Sequence, residues 1–249
     1  MNSTLIENLL KTKEIGRQIV FLKEIDSTNL FAKEIPSNTI TNGMIIIADH
    51  QTEGKGRRGR TWIDEYGTNI LCSLILTNLK STSLLPIIAG ISIVESIFEC
   101  TKLKAECKWP NDVLLNKKKI SGCLIEQIGN TTIIGIGINV NQNNFGDLTN
   151  NATSLFNETG IKWEREVLLV NLLNRMETLL SIYENSSSQI IDLWKKYVTF
   201  IGKEVNISTE IENYSATAVD VNEEGLLIIR KDNILQTLTA GDVSLKINL

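Results

Sequence analysis

The sequence predicts an α+β fold, and three observations carry the prediction. Strand-like and helix-like stretches come in runs, without the regular strand–helix–strand alternation that builds a doubly wound sheet. Two long stretches have apolar residues at helical spacing, and between them lie four short segments rich in Val, Ile and Leu, separated by turn residues as in a meander of hairpins. Past Gly202 the texture changes to short strand candidates punctuated at residues 222–225, 231–233 and 241–242. The chain therefore divides into a large α+β unit, residues 1–200, and a small all-β unit, residues 201–249.

Each element has its own signal. Leu5, Ile6, Leu9 and Leu10 share one helical face behind Ser3 and Thr4, which are placed to cap a short opening helix. Residues 19–25 alternate loosely as a strand, residues 26–29 read as a helix start, and residues 44–48 and 69–76 are apolar strand candidates. Pro86 suits the first turn of a helix over residues 84–98, where its missing N–H costs nothing. Residues 105–109, 113–115, 119–126 and 131–140 form the meander, with a turn at residues 116–118. Residues 163–183 carry a stripe at Leu168, Leu172, Met176, Leu179 and Tyr183. Residues 189–198 repeat the pattern after a polar break at residues 185–188.

Composition narrows the class of function. With 42% hydrophobic residues, 22% charged and only 3 prolines, a chain of 249 residues has the makings of a real core and not of a disordered segment. A formal net charge of −4 argues against a surface built for nucleic acid or an anionic membrane, so neither is expected as a partner and any basic site is local. Cys72, Cys100, Cys107 and Cys123 form no C-x-x-C pair, and His50 is the only histidine, so no metal site is expected and the thiols read as reduced core residues. The first 16 residues carry Glu7 within their apolar part and no cleavage pattern, and the longest apolar run, residues 84–94, is too short to span a bilayer. A cytoplasmic protein is expected.

The most charged stretch, Gly54-Lys-Gly-Arg-Arg-Gly-Arg60, matches G-x-G-x-x-G and, continued to Thr61, nearly matches the phosphate loop G-x-x-x-x-G-K-[ST]. Neither match holds. A dinucleotide turn follows its strand directly, opens a helix and has an acid about 20 residues on. Here residues 49–53 intervene, residues 62–67 have no helical pattern, and residues 74–80 contain no acid. The phosphate-loop reading puts Arg60 in place of the lysine and again lacks a helix dipole. What remains is a loop with four cations, Lys55, Arg57, Arg58 and Arg60, spaced by glycines that let the backbone bend around an anion. A solvated basic turn or a nucleic-acid patch competes with that reading for a charge run taken alone. No aromatic residue interleaves the cations as a single-strand platform would require, and the 26 residues before Ser27 are too few for a helix-turn-helix domain.

A second constellation is Lys108-Trp-Pro-Asn-Asp112, where Pro110 forbids simple continuation of a strand and presents Asn111 and Asp112 at a bend. Seven residues later Lys119 opens the next strand, although alone it would be one more lysine at a hairpin tip. Ser27-Thr-Asn29 alone would be a helix cap, and Gly135 and Gly137 alone would be bulges or points of close approach.

Together these pieces resemble a family. Ser27-Thr-Asn29, Gln51, the basic loop with Thr61-Trp62, KWPND, Lys119 to Glu126 (KISGCLIE) and Gly135-Ile-Gly-Ile-Asn139 stand in the order and spacing found in biotin protein ligases. The resemblance covers residues 21–140 strongly, and Ala240-Gly-Asp-Val-Ser-Leu245 resembles the family's SH3-like tail more weakly. It implies a mixed-sheet catalytic domain of the biotin/lipoate ligase type followed by a small SH3-like barrel. The implied reaction joins biotin to ATP as biotinyl-5′-AMP with Mg²⁺, then transfers the biotinyl group to a lysine of the biotin carboxyl carrier protein of acetyl-CoA carboxylase.

The resemblance also assigns roles. Lys119 is the implied catalytic lysine, Arg57 with its loop closes over the adenylate, and Asp112 helps the carrier lysine lose its proton. Ser27, Thr28, Asn29 and Gln51 are implied to hold biotin, and Gly54, Lys55, Gly56, Trp62, Lys108, Asn111, Gly122, Gly135 and Asn139 to complete the substrate site. A sheet-edge homodimer is common in such ligases. Lys55 stands where arginine is usual, keeping charge and losing the bidentate fork, and Glu53 adds an acid beside the loop. The additional DNA-binding domain of bifunctional members is not expected here, nor is a repressor role. The rivals are a lipoate or octanoate ligase of the same superfamily and a non-catalytic ligand-binding regulator.

Overall fold

A computed structural model describes residues 1–209, 212–239 and 244–247. Seven strands, β1 (Ile19–Leu22), β2 (Met44–Ala48), β3 (Ile70–Thr77), β4 (Glu106–Lys108), β5 (Asp112–Leu115), β6 (Lys118–Ile128) and β7 (Thr131–Ile138), form one sheet in the order β1-β2-β3-β7-β6-β5-β4. β1 and β2 are parallel and every other pair is antiparallel, so the sheet is mixed, as the family resemblance implies.

The helices are α1 (Ser3–Leu9), α2 (Thr28–Glu34), α3 (Leu85–Thr101), α4 (Leu155–Thr159), α5 (Arg165–Asn185) and α6 (Ser187–Lys195). Period-2 alternation along the strands sorts side chains between two cores. Ile45, Ile47, Leu74, Ile134, Ile136 and Ile138 join the large core shared with α3, α5 and α6. Met44, Ile46, Ile75 and Ile133 join a smaller one under α2 with Ala32 and Phe31. On β7 the residues alternating with the core isoleucines are Gly135 and Gly137. One face of the sheet is therefore covered by long helices, while the other is covered by α2 at one end and lies bare over β7, β6 and β5.

Element boundaries follow the sequence signals with local differences. The cap of α1 is Asn2, whose Oδ1 accepts from Leu5 N–H at 3.1 Å, and not Ser3 or Thr4, which lie inside the helix. β1 stops at Leu22, and Ile25 makes only an isolated bridge to Gln51. The break between α5 and α6 is the single residue Ser186.

The C-terminal unit is an antiparallel sheet of β8 (Glu204–Ser208), β9 (Asn213–Val221), β10 (Leu227–Lys231), β11 (Ile234–Leu238) and β12 (Ser244–Ile247), in the order β11-β10-β9-β8-β12. Residues 240–243 of the tail motif lie outside the described residues. Val205, Ile207, Ala218, Leu227 and Ile229 are fully buried and belong to the same apolar cluster as the helices. Trp109 Nε1 donates to Gly225 O at 2.9 Å, and Lys195 pairs with Asp220 at 2.7 Å.

Candidate active site

Over the bare part of the sheet lies a cleft of about 820 Å³. Every site residue expected from the sequence lines it except Gly54, which is buried at the base of the basic loop. Seven cations, Lys55, Arg57, Arg58, Arg60, Lys108, Lys117 and Lys119, face one carboxylate, Asp112. A concave site with that imbalance concentrates anions. Trp62, Leu114, Phe145 and Leu148 supply apolar wall.

The basic loop is a hairpin. Lys55 bridges Thr61, Gly56 N–H donates to Arg60 O at 2.7 Å, and Trp62 N–H donates to Gly54 O at 2.8 Å. A Cβ at Gly54 would stand 2.6 Å from Trp62 O, so only glycine permits this leg spacing. At the tip, Arg57 Nη1 donates to Asn111 Oδ1 at 2.8 Å, which latches the loop to the KWPND bend. Asn111 is itself fixed by donation to Cys123 O at 2.6 Å. Burial pulls the Arg57 guanidinium below its ordinary pKa while Asp112 pulls the other way. An arginine keeps its charge regardless.

Lys119 Nζ lies 2.6 Å from Asp112 Oδ1. In a regular strand, residues three apart face opposite sides. Here the β5–β6 register shifts between Val113 and Leu114, so that Lys119 and Gly122 both face the cleft. A Cβ on Gly122 would meet Lys119 Cε and Nζ at 3.0 Å and Asp112 Oδ1 at 3.2 Å. Gly122 pairs in turn with Gly137, where a Cβ would strike the Trp62 ring at 2.6 Å. Two glycines side by side thus make a floor on which the ion pair and the indole rest. Lys119 Nζ also stands 5.8 Å from the Trp62 ring centroid.

At the α2 end the pocket turns polar and neutral. Gln51 Oε1 accepts from Thr28 N–H at 2.8 Å and Thr28 Oγ1 at 3.0 Å, which turns the Gln51 amide nitrogen away toward Gly54. Ser27 is the N-cap of α2 by position, but its hydroxyl makes no cap hydrogen bond and lines the cleft instead. Asn29 is committed elsewhere. Its Oδ1 accepts from Ser73 at 2.6 Å, and its Nδ2 donates to Glu126 at 2.8 Å. A Cβ on Gly135 would lie 2.4 Å from Asn29 Oδ1, so the glycine makes room for this side chain. Burial opposes ionisation of Glu126, but hydrogen bonds from Lys33 and Asn29 outweigh it, and its pKa falls below the ordinary value.

Two buried polar atoms of the lining have no hydrogen-bond partner, the donor Trp62 Nε1 and the acceptor Asn139 Oδ1. Buried polar atoms without a partner call for one, which a bound ligand or water supplies. Asn139 Nδ2 is already given to Thr153 O at 3.0 Å. Cys72 and Cys123 also reach the cleft, but burial pushes both thiols up to about 12, so neither is a nucleophile.

Sequence reasoning did not single out Lys117, Phe145, Leu148 or Asn151 of the lining, nor Ser73, which lies behind it and donates to Thr28 and Asn29. Ser73 reads as filler within an apolar strand, and residues 145–151 have no periodicity. Only their position after the Gly-Ile-Gly-Ile-Asn strand brings them to the cleft.

Comparisons with known proteins identify the family. Residues 21–143 match the Biotin/lipoate A/B protein ligase family, and residues 200–246 match the Biotin protein ligase C terminal domain. The bifunctional ligase/repressor BirA of Bacillus subtilis is 32% identical over 95% of this chain and 76% of its own length. The biotin–[acetyl-CoA-carboxylase] ligase of Mycobacterium tuberculosis is 27% identical over 95% of this chain and 94% of its own. Among solved structures, the biotin protein ligase of Aquifex aeolicus in complex with biotin and ATP superposes with a TM-score of 0.85 at 31% identity, covering 93% of this chain and 100% of that one.

Proposed function

This chain belongs to the biotin protein ligase family, and from that premise we propose how its cleft performs the family's reaction. A biotin carboxylate oxygen attacks the α-phosphorus of ATP, giving biotinyl-5′-AMP and releasing pyrophosphate. The amine of a carrier-protein lysine then attacks the acyl carbon, and AMP leaves. The observation that carries this reading is the convergence of Lys119 and the latched Arg57 on one cation-lined cleft, beside the adjacent residues Asp112 and Asn111.

Repulsion between a carboxylate and a polyanion is the first obstacle, and fixed cations remove it. Lys119 draws the biotin carboxylate and the α-phosphate together. As those anions replace Asp112 beside it, Asp112 becomes available to take the proton of the carrier lysine, whose neutral amine is the nucleophile. Ser27, Thr28 and Gln51 meet the polar edge of biotin's ring at the polar, neutral α2 end of the cleft. Arg57 and its hairpin cover the adenylate, which water would hydrolyse. Asn139 Oδ1 and Trp62 Nε1 gain partners when the slot fills.

Mg²⁺ is the ion implied with ATP. Asp112 is the one carboxylate lining the cleft, and no group of three His, Cys, Asp or Glu is found among the described residues. These residues fit an ion carried on ATP phosphates, with Asp112 within reach, better than a protein cage. Bound there, it would neutralise charge on the departing pyrophosphate.

The acceptor in this reading is the carrier protein of acetyl-CoA carboxylase, the location is the cytoplasm, and residues 1–200 act as catalytic unit with 201–249 as its C-terminal partner. No described helix is long and apolar enough to cross a membrane. A homodimer through a terminal strand of the large sheet belongs to the same proposal, and sedimentation of ligand-free and adenylate-loaded protein tests it.

The deciding experiment is transfer to an apo carrier domain with Mg-ATP and either biotin or lipoate, followed by intact mass. Addition of one biotinyl group with biotin alone is expected. Transfer of lipoate instead would overturn the substrate, and biotin binding without transfer would leave a ligand-binding regulator.

A further inference from the structure

The lid hairpin leaves the sheet as two legs, residues 49–54 running out from β2 and residues 62–67 running back toward β3. Near the tip the legs are joined by backbone hydrogen bonds, Gly56 N–H to Arg60 O and Trp62 N–H to Gly54 O. At the root one backbone bond, from Gly67 N–H to Asp49 O at 2.9 Å, is joined by a side chain. The Asp64 carboxylate, wholly enclosed, accepts from Gln51 N–H at 3.3 Å and lies 2.8 Å from His50 Nδ1. His50 is the only histidine of the chain, its ring partly exposed and tilted against Tyr66 with centroids 6.1 Å apart. Its own carbonyl accepts from Ile25 N–H at 3.2 Å, which ties the outgoing leg to the end of the first strand region.

An enclosed carboxylate is costly. Burial pushes the pKa of Asp64 above its ordinary value, against the hydrogen bonds from His50 and Gln51 N–H. An apolar residue would pack the same point without that cost. What a carboxylate adds is direction, since it bonds both legs at a fixed spacing and can re-form after each opening. Neither His50 nor Asp64 lines the cleft, yet each adjoins a residue that does. Gln51 is held here by its backbone while its side chain faces Thr28, and Trp62 lies two residues before Asp64.

Building on the reading of the hairpin as the cover of the adenylate, we propose that His50 and Asp64 form a clasp at its root, Asp64 being a positioning residue. The clasp sets the lid's register over the cleft, and so the retention of the acyl-adenylate, without touching it. It acts through Gln51 and Trp62.

The test uses the full chain with His50→Ala, Asp64→Asn and His50→Asn, the last placing an amide donor where Nδ1 stands. In ligand-free protein, amide exchange over residues 54–62 is expected to quicken about tenfold in the first two variants, the size of one charge-assisted hydrogen bond, with the rest of the sheet unchanged. Release of biotinyl-5′-AMP is expected to quicken by a similar factor, its formation to hold, and His50→Asn to restore both. Unchanged exchange over 54–62, or acceleration spread evenly through the sheet, would overturn the clasp. If the unaltered chain forms no adenylate, the functional reading fails while the exchange result still decides the clasp. Should Asp64→Asn not fold, His50→Ala carries the same test from a partly exposed ring.

Discussion

Lys119 and Arg57 are both cations of one cleft, but their settings predict different failures. Lys119 is aimed by Asp112 at 2.6 Å across a glycine floor, where the proposed reaction shifts charge. Lys119→Ala is expected to slow adenylate formation by about 10²–10³-fold, as loss of one preorganised donor does, while biotin binding changes far less. Pyrophosphate release and equilibrium binding measure the two, and an equal loss in both would remove Lys119 from the chemical step. Arg57 instead donates to Asn111 at 2.8 Å, a contact that in the proposed mechanism holds the lid shut. Arg57→Gly is expected to leave adenylate forming but escaping, read as free biotinyl-5′-AMP accumulating in the absence of carrier. Unchanged release would reject the lid. The contrast was legible in the sequence only through family resemblance, because a lysine at a hairpin tip and an arginine in a basic run both read as solvated when taken alone. Asn29 lines the cleft as expected, and what the sequence did not record is its internal network, in which it accepts from Ser73 and donates to Glu126.

At the scale of the element, β7 is the most informative strand. Its isoleucines face the large core and its glycines face the cleft, and each glycine admits a different side chain. Gly135→Ala is expected to collide with Asn29 and cost about 1–3 kcal/mol, as overpacking does, lowering Tm and raising the KM for biotin. For Gly137→Ala the three nearest atoms all belong to the Trp62 ring, which the proposed lid carries, so adenylate release should rise with little change in Tm. Calorimetry together with the release assay separates the two, and identical behaviour would show that the cleft face of β7 is not divided this way. Beside β7, Glu126 of β6 adds a pH dependence. Its pKa is lowered in the folded chain, so its stabilising contribution is present above the ordinary glutamate value and is lost as the pH falls through the lowered one. Glu126→Gln should therefore flatten stability against pH in that acid window, and denaturant titrations on both sides of it test the sign. Strands such as β2 were plain in the sequence because five consecutive apolar residues buried on both faces leave no other reading. The shift that turns Lys119 and Gly122 to one face was not, because register belongs to a pair of strands and no single segment records it.

For the whole molecule, the question is whether the two units expected at residues 1–200 and 201–249 behave as two. Composition changes sharply past Gly202, and that change made the all-β tail legible. It says nothing about packing. Val205, Ile207, Ala218, Leu227 and Ile229 share one apolar cluster with α3, α5 and α6, and Phe200 at the junction is fully buried. The contact also reaches the active site. Trp109, buried between Lys108 and the Asn111 that latches the lid, donates to Gly225 O at 2.9 Å, and a Cβ on Gly225 would press on Leu84 at 2.9 Å where α3 begins. Chains of more than one domain often unfold in stages, but units that share a core lose it together. We therefore expect one cooperative thermal transition, with the circular dichroism of the helices and that of the C-terminal strands melting at the same temperature. Trp109→Phe keeps most of the buried ring and leaves the Gly225 carbonyl without its donor, a change of about 1–3 kcal/mol. It should lower that single transition and, by loosening the KWPND bend, also quicken adenylate release. A second, earlier transition in the unaltered chain would mean that the small sheet is an appendage. A lowered Tm with unaltered release would mean that it props the fold without reaching the lid.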